Sequence, residues 1–259
     1  MKVNFNDDQE IFEVFGRGEL HLTILIENLR REGFELTVSR PKVLYKIGKE
    51  NEKLEPIEEV TIDVDDEFSS AVLDNMNRRK GEMVDMRSSG EGKARIIFHA
   101  PSRALIGFQN RFLTLTKGTG VINRVFHKYG PYKGDIEGRR NGVLVSTETG
   151  SAVAYALFNL QDRGVMFLGP QTEVYEGMIV GEHNRDNDLG INVLKGKKHS
   201  NVRSSGADEA VVLVPYQKMS LEQMMAYIED DELLEVTPNN LRLRKKYLDP
   251  NERKKMSKV

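Results

Sequence analysis

Apolar and polar positions along the chain change their period several times, and each change predicts an element. Ile11–Phe15 is a short β-branched and aromatic run that predicts a strand. After Gly16-Arg-Gly18, Leu22, Leu25, Ile26 and Leu29 recur at three- and four-residue spacing, the signature of a helix with one apolar face. Arg30 and Arg31 fall in its last turn and Gly33 just beyond, both helix stop signals. Phe34, Leu36 and Val38 then alternate with Glu35 and Thr37, a half-buried strand ending before Pro41. This β-α-β unit is too small to bury its own apolar faces, so it either docks on a later part of the chain or belongs to a larger domain. The second possibility, a truncated domain, is the expectation, and with it faster amide exchange than in the helix containing Phe68 and Val72.

From Val43 the pattern restarts. Val60, Ile62 and Val64 alternate with Thr61 and Asp63, and Asp65 and Asp66 can cap a helix carrying Phe68, Val72 and Met76. Gly81 ends that helix. Strands are expected at Glu82–Arg87 and Lys93–His99, then a helix opened by Pro101 with Leu105, Phe108 and Phe112 on one face, then a strand at Val121–His127. The order β-α-β-β-α-β is that of the ferredoxin-like split βαβ fold, with one sheet face left free.

Beyond Tyr129 short strands and frequent turns take over. Strands are expected at Gly142–Ser146, Ala152–Leu160, Met178–Glu182, Gly190–Leu194, Val211–Val214, Leu233–Val236 and Leu241–Arg244. Ser220 and Gln223 form a capping box for a helix at Leu221–Ile228, where Met224 and Met225 read as core. The fold class is therefore α+β, in three blocks. Residues 1–40 are a partial β-α-β domain, 41–129 a ferredoxin-like domain, and 130–259 a mostly β domain with one or two helices.

Composition narrows the chemistry. Charged residues are 30% of the chain and nearly balanced, with a formal net charge of -2, so any nucleic-acid surface must be local. There is no cysteine, which excludes disulfides and thiolate metal sites. No apolar run is long enough to span a bilayer, and no secretory leader opens the chain; a soluble, cytoplasmic, monomeric protein is expected.

The most suggestive local stretch is Lys195–Gly206. Lys195, Lys197, Lys198 and Arg203 stand there without a carboxylate, among His199, Ser200, Asn201, Ser204 and Ser205. Glycines bracket it and apolar runs flank it, as for a basic loop between strands. Lys as a point charge and Arg as a bidentate fork suit RNA phosphates. A solvated charged loop is the bland alternative. Arg139, Arg140, Arg242, Arg244, Lys245 and Lys246 form rival basic surfaces.

Catalytic patterns are missing. No G-x-x-x-x-G-K-[ST], nucleophile elbow or H-E-x-x-H occurs. Gly16-Arg-Gly18 fits a tight turn as well as a phosphate loop. His21, His99, His127, His183 and His199 are scattered, so structural or surface roles are expected and no metal site. Glu182, Asp186 and Asp188 resemble a calcium loop only partly, since Lys197 stands where the bidentate Glu should be; a polar turn is the simpler reading.

Phe15-Gly-Arg-Gly-Glu-Leu-His-Leu22, Glu32-Gly-Phe-Glu35 and Ser39-Arg-Pro41 closely resemble the end of domain III in translational GTPases of the elongation factor G class. Lys80-Gly81 and Leu115-Thr-Lys-Gly-Thr-Gly120 look like its domain V. Leu160-Gln-Asp-Arg-Gly164, Val174-Tyr-Glu-Gly177, Asn187-Asp188, Gly196-Lys-Lys198, Gly206-Ala-Asp-Glu-Ala210 and Asp230-Asp-Glu-Leu233 resemble the C-terminal domain specific to the BipA, or TypA, family. The resemblance spans nearly the whole chain and implies a fragment whose GTPase domain, with its GTP and Mg, lies outside it. It further implies a ribosome-associated role in large-subunit assembly and stress adaptation. In this reading the Lys195–Ala210 loop touches ribosomal RNA and the acceptor end of A-site tRNA, with no DNA or membrane partner. The competing readings are a protein-interaction module using Glu229–Glu232 and the free sheet face, and a metal-dependent hydrolase using Glu182, Asp186 and Asp188.

Overall fold

The computed structural model describes residues 1–6, 11–90, 92–136, 138–196 and 212–256. It is a mixed α+β structure of two compact units, one built from Pro41–Gly138 and the other from Met1–Arg40 together with Arg139–Val259.

The Pro41–Gly138 unit is organised on the long strand Lys53–Asp65, which pairs antiparallel with Lys93–Pro101 on one side and Val121–Pro131 on the other. Glu82–Gly90 extends the sheet beyond Lys93–Pro101, and the short Lys46–Ile47 pairs with Lys53–Asp65. Strict alternation decides which face is covered. Val60, Ile62, Ile96 and Phe98 are wholly buried on one face under Val72 and Met76 of the helix Asp66–Arg78 and Phe108 and Phe112 of the helix Phe108–Leu115. Asp65 is the N-cap residue as expected, but its carboxylate accepts from Thr119 Oγ1 (2.8 Å) and from no helix N–H. The chain leaves that helix with Lys80 in the left-handed region (φ 61°), and the Gly81 N–H donates to Met76 O (2.9 Å). Gly81 itself is needed for closeness, because a Cβ there would stand 3.0 Å from that carbonyl oxygen. The single helix expected after Pro101 is instead a 3₁₀ turn, Ser102–Leu105, and the helix Phe108–Leu115. Gly107, at φ 66°, makes the break.

In the other unit a seven-stranded sheet runs, strand by strand, Leu189–Ile191, Val143–Ser146, Met178–His183, Leu241–Lys245, Glu232–Val236 and Leu36–Ser39, with Gly164–Met166 also on Met178–His183. Both faces are covered. Val143 and Val145 join one core with Leu221, Met225, Ile228 and Leu234, while Leu144 between them joins the other with Leu157, Val180 and Val193. That explains a run too uniformly apolar to alternate. Ser220 completes its capping box with Gln223, and the helix runs Leu221–Tyr227.

Further expectations change. Among the described residues of the mostly β block there are three α-helices, Ala154–Leu160, Leu221–Tyr227 and Pro250–Met256, not one or two. Ala152–Leu160 is not a strand: Ala154–Leu160 is a helix. Its apolar residues leave the period ambiguous, and burial falls on Ala152, Ala156 and Leu157, a helical spacing. Residues 212–214 form no strand, and Val211 lies outside the described residues. The first block does not make one β-α-β sheet. Ile11–Phe15 pairs with Lys2–Asn6 as a separate hairpin, whereas Leu36–Ser39 becomes the edge strand beside Glu232–Val236. The helix Glu19–Arg31 turns Ile26 and Leu22 into the core of Leu221 and Met225.

Because that helix shares its core with Leu221–Tyr227, Ile26→Ala should loosen both by about 2–5 kcal/mol. Hydrogen exchange read peptide by peptide should quicken in Glu19–Arg31 and Leu221–Tyr227 together and stay unchanged in Asp66–Arg78. A change restricted to Glu19–Arg31 would contradict the shared core.

Candidate nucleic-acid interface

Of the basic loop, Lys195 is described and exposed; Lys197, Lys198, His199, Ser200, Asn201, Arg203, Ser204 and Ser205 lie outside the described residues. Its two feet are well defined. On the outgoing side Val193 is wholly buried, its carbonyl accepts from Val153 N (3.0 Å), and Leu194 packs on the core of Leu144 and Leu157. On the returning side Leu213 packs on the same core, Val214 N donates to Gln161 Oε1 (3.0 Å), and Gln217 N donates to Met166 O (2.8 Å). Both feet therefore stand on one hydrophobic cluster.

Three of the six rival basic residues, Arg139, Arg244 and Lys245, are spent inside the fold. Arg139 lays both guanidinium ends on Glu232, at 3.0 and 2.8 Å, and its own backbone N–H donates to Glu229 Oε1 (2.7 Å). Lys245 is 3% exposed and faces Asp188, Asp231 and Glu232 at 2.6, 2.8 and 3.0 Å. Arg244 pairs with Glu235 at 2.9 Å, across the hairpin that joins Leu241–Lys245 to Glu232–Val236. Arg140 and Lys246 are exposed and Arg242 half-buried. The basic string read from the sequence is thus no continuous cationic surface. Alternation of the strand sends Lys245 inward and aligns Arg244 with an acidic neighbour.

Burial would push the Glu232 carboxyl up, but the Arg139 guanidinium and the Lys245 ammonium outweigh it and hold it below the usual carboxylate range. Burial likewise opposes charge on Lys245, and Glu232 with Asp188 and Asp231 raises its pKa above the ordinary value. All three groups stay ionised through the neutral range.

One feature escaped the sequence reading. Asp162, Arg163, His183, Asn184, Arg185 and Asn187 line a polar cleft at the end of the strand Met178–His183. Arg163 and Arg185 are exposed, and among the described residues neither guanidinium is held in a salt bridge. The backbone around them is pinned: Asn184 N donates to Arg163 O (2.9 Å), and Gly142 N donates to Arg185 O (2.7 Å). His183 Nδ1 donates to Asn187 O (2.6 Å), which fixes the proton on Nδ1 because a carbonyl only accepts. Gln161, which holds the returning foot of the loop, adjoins Asp162, so cleft and loop base are neighbours in the chain. Each arginine sits singly among mixed charges in sequence, and nothing local flags the pair.

The calcium-loop pattern does not assemble. Asp188 accepts from Val143 N (2.9 Å) and faces Lys245, while Glu182 accepts from Asn141 Nδ2 (2.9 Å). Two of the three carboxylates of the hydrolase reading are thereby engaged in holding the fold.

Comparison with known proteins identifies relatives. Residues 141–250 match the family described as TypA/BipA C-terminal domain, and residues 52–140 match the one described as Elongation factor G C-terminus. Residues 141–250 are thus of the TypA/BipA C-terminal kind. Across 259 residues it is 50% identical to the large ribosomal subunit assembly factor BipA of Salmonella typhimurium, covering 100% of this chain and 42% of that protein. Against the factor of the same name in Bacillus subtilis it is 51% identical over 259 residues, again 100% of this chain and 42% of the relative. The chain therefore spans about two-fifths of the length of these BipA relatives.

The buried network gives a stability test. Arg139→Met strands Glu232 without its main partner, a change that costs about 3–5 kcal/mol. Arg140→Met, at an exposed position, should stay within about 0.5 kcal/mol. Urea unfolding followed by circular dichroism separates the two, and equal losses would refute the network's role. Glu232, lowered from an ordinary 4.5, stabilises above that value, and the contribution disappears as pH falls through its depressed folded value. Lys245, raised from 10.5, stabilises below that value and loses its contribution as pH rises through the raised one. The parent's stability should accordingly hold a plateau between these limits, and Arg139→Met should lower the plateau.

Proposed function

We propose that this chain is the ribosome-binding part of a BipA-type factor that acts in assembly of the large ribosomal subunit. The observation that carries this is 50% identity, over an alignment spanning all 259 residues, to proteins named for that role. In this reading residues 1–40 are the end of domain III, 41–129 a ferredoxin-like domain V, and 130–259 the BipA-specific domain. The sheet order of the middle unit, with Lys53–Asp65 and Lys93–Pro101 central between Val121–Pro131 and Glu82–Gly90, supports the ferredoxin-like assignment. The factor works in the cytoplasm as a monomer. Its GTP hydrolysis, with GTP and Mg, resides in the part of the relatives that this chain does not span, consistent with a sequence holding no phosphate loop of the required spacing.

RNA contact falls to the loop Lys195–Ser205, reaching ribosomal RNA and the acceptor end of A-site tRNA. Two features favour the loop over the other basic segments. Arg139, Arg244 and Lys245 are committed to carboxylates, and Lys195 at the described foot is exposed. The contacts are electrostatic and indifferent to base sequence, since Lys and Arg on a loop address phosphates and not base edges.

About four phosphate contacts to a single strand give a log–log salt slope near −3, at roughly −0.7 each. Lys197→Ala with Lys198→Ala should make the slope shallower by roughly 1 to 1.5 on that scale, with the fold unaffected. Arg203→Lys keeps the charge and removes the bidentate fork, so a loss there reports geometry. Filter binding to acceptor-stem RNA and co-sedimentation with large subunits across a salt series read these effects. The loop assignment fails if the double variant binds as the parent does while Arg242→Ala with Arg244→Ala abolishes binding. Undiminished binding in high salt by every variant would instead favour a protein-interaction module.

A further inference from the structure

The sheet of the Pro41–Gly138 unit brings three metal-ligating side chains together on the face away from its helices. Glu59 and His99 are direct cross-strand partners, Glu59 on Lys53–Asp65 and His99 on Lys93–Pro101. Val60 and Phe98, their neighbours in sequence, point into the core, so alternation puts Glu59 and His99 on the opposite face. His127 arrives from the third strand. The pairing of Val121–Pro131 with Lys53–Asp65 shifts register between Ile57 and Glu58, so that Lys128 faces Ile57, Phe126 faces Glu58 and His127 is the extra residue. A bulge of this kind re-aims a side chain. Here it swings the His127 ring over the central strand onto His99, with centroids 4.2 Å apart and planes at 21°. His99 Nε2 stands 3.6 Å from Glu59 Oε2, and one donor atom from each of the three side chains lies within 4.8 Å of the others.

The geometry points to a site for one divalent transition-metal ion held by His99, His127 and Glu59. Two imidazoles and a carboxylate are a donor set for Zn, Ni, Co or Cu, whereas Mg and Ca prefer all-oxygen shells. Donors around a tetrahedral zinc ion, at about 2.0–2.1 Å from it, lie about 3.3 Å apart, so the three groups need to close by about 1.5 Å, within reach of imidazole and carboxylate torsions. The strands beneath are fixed by the buried core, which makes the closure a side-chain event. Of the neighbouring cations, Arg95 is engaged bidentately with Asp63 at 2.7 and 3.0 Å and Lys133 pairs with Glu82 at 2.9 Å, while Lys128, next to His127, lines the same hollow as His99. Three protein ligands leave coordination positions for water or an incoming group, as in open sites. Bound there, the ion would tie three adjacent strands across the face that the helices leave uncovered.

The test uses the full chain without a histidine tag, stripped with chelator and titrated calorimetrically with Zn²⁺, Ni²⁺, Mg²⁺ and Ca²⁺ separately. The expected result is one equivalent of Zn²⁺ and of Ni²⁺ at micromolar affinity and none of the other two. His127→Ala, at an exposed position, should keep the far-ultraviolet dichroism of the parent and weaken zinc at least ten-fold; Glu59→Gln should weaken it less. Histidine ring signals in NMR spectra should move for two residues on adding zinc and for neither in the double variant His99→Ala/His127→Ala. The proposal is overturned if the parent takes no zinc or nickel in this range. It is equally overturned if the double variant binds as tightly as the parent, because the ion then sits at His21, His183 or His199.

Discussion

Glu232 is wholly buried, and an ionised carboxylate in that position is intolerable unless it is surrounded. The surroundings come from three separate elements. Arg139 lies just ahead of the strand Val143–Ser146, Lys245 ends the strand Leu241–Lys245, and the Glu229 N–H closes the tight connection from the helix Leu221–Tyr227. Each partner is itself doubly used: Lys245 reaches Asp188 at the start of Leu189–Ile191, and Glu229 accepts from Arg40 at the end of Leu36–Ser39. One carboxylate therefore ties the edge strand, the hairpin, the helix and the central strands into a single arrangement. Such a network adds little net stability over an apolar replacement, but it penalises any register in which one member is missing. Register is what a sheet of short strands, several of three to six residues, most needs fixed.

The same constraint accounts for the place of residues 1–40. A strand like Glu232–Val236, buried on alternate residues and paired on one side by Leu241–Lys245, would present an open edge. Leu36–Ser39 closes it, and Arg40 comes directly onto Glu229. The apolar stripe of Glu19–Arg31 then meets the helix Leu221–Tyr227 because both helices lie on the face occupied by Val143, Val145 and Leu234. An orphan stripe and an uncovered edge satisfy each other, so a segment too small to fold by itself acquires a core.

How much of this was legible depended on whether a residue's fate was local. In the Pro41–Gly138 unit strict alternation around Val60, Ile62 and Val64, and helical spacing through Val72 and Met76, located the main elements, because the period itself encodes the buried face. The Ser220–Gln223 capping box was equally readable, since both hydrogen bonds are made within four residues. Ala152–Leu160 failed because a run apolar at all but Asn159 carries no clear period. Asp65 was placed correctly as a cap, yet its carboxylate is satisfied by Thr119, from 54 positions away. Charges were the least legible. Arg139, Arg244 and Lys245 look like a cationic surface in one dimension, and only the folded sheet reveals the carboxylates beside them. His127 was hidden for a related reason: without the bulge it would not lie against His99.

This neutralisation bears on where an RNA surface can be. A chain with formal charge -2 has no cations to spare, so a phosphate-binding region requires that positive residues be left uncompensated in one place. The fold surrounds inner cations with carboxylates at Arg139, Arg244 and Lys245. The exposed Arg163 and Arg185 stand at the end of the central strands, and Lys195 at the foot of a stretch with no carboxylate before Asp208. A polyanion approaching a nearly neutral body is drawn to sites where the field is not cancelled, over about 10 Å, the screening length at 0.1 M salt. Pairing the interior charges thus makes burial of Glu232 tolerable, and under the proposed reading it leaves phosphate to the exposed Lys195, Arg163 and Arg185.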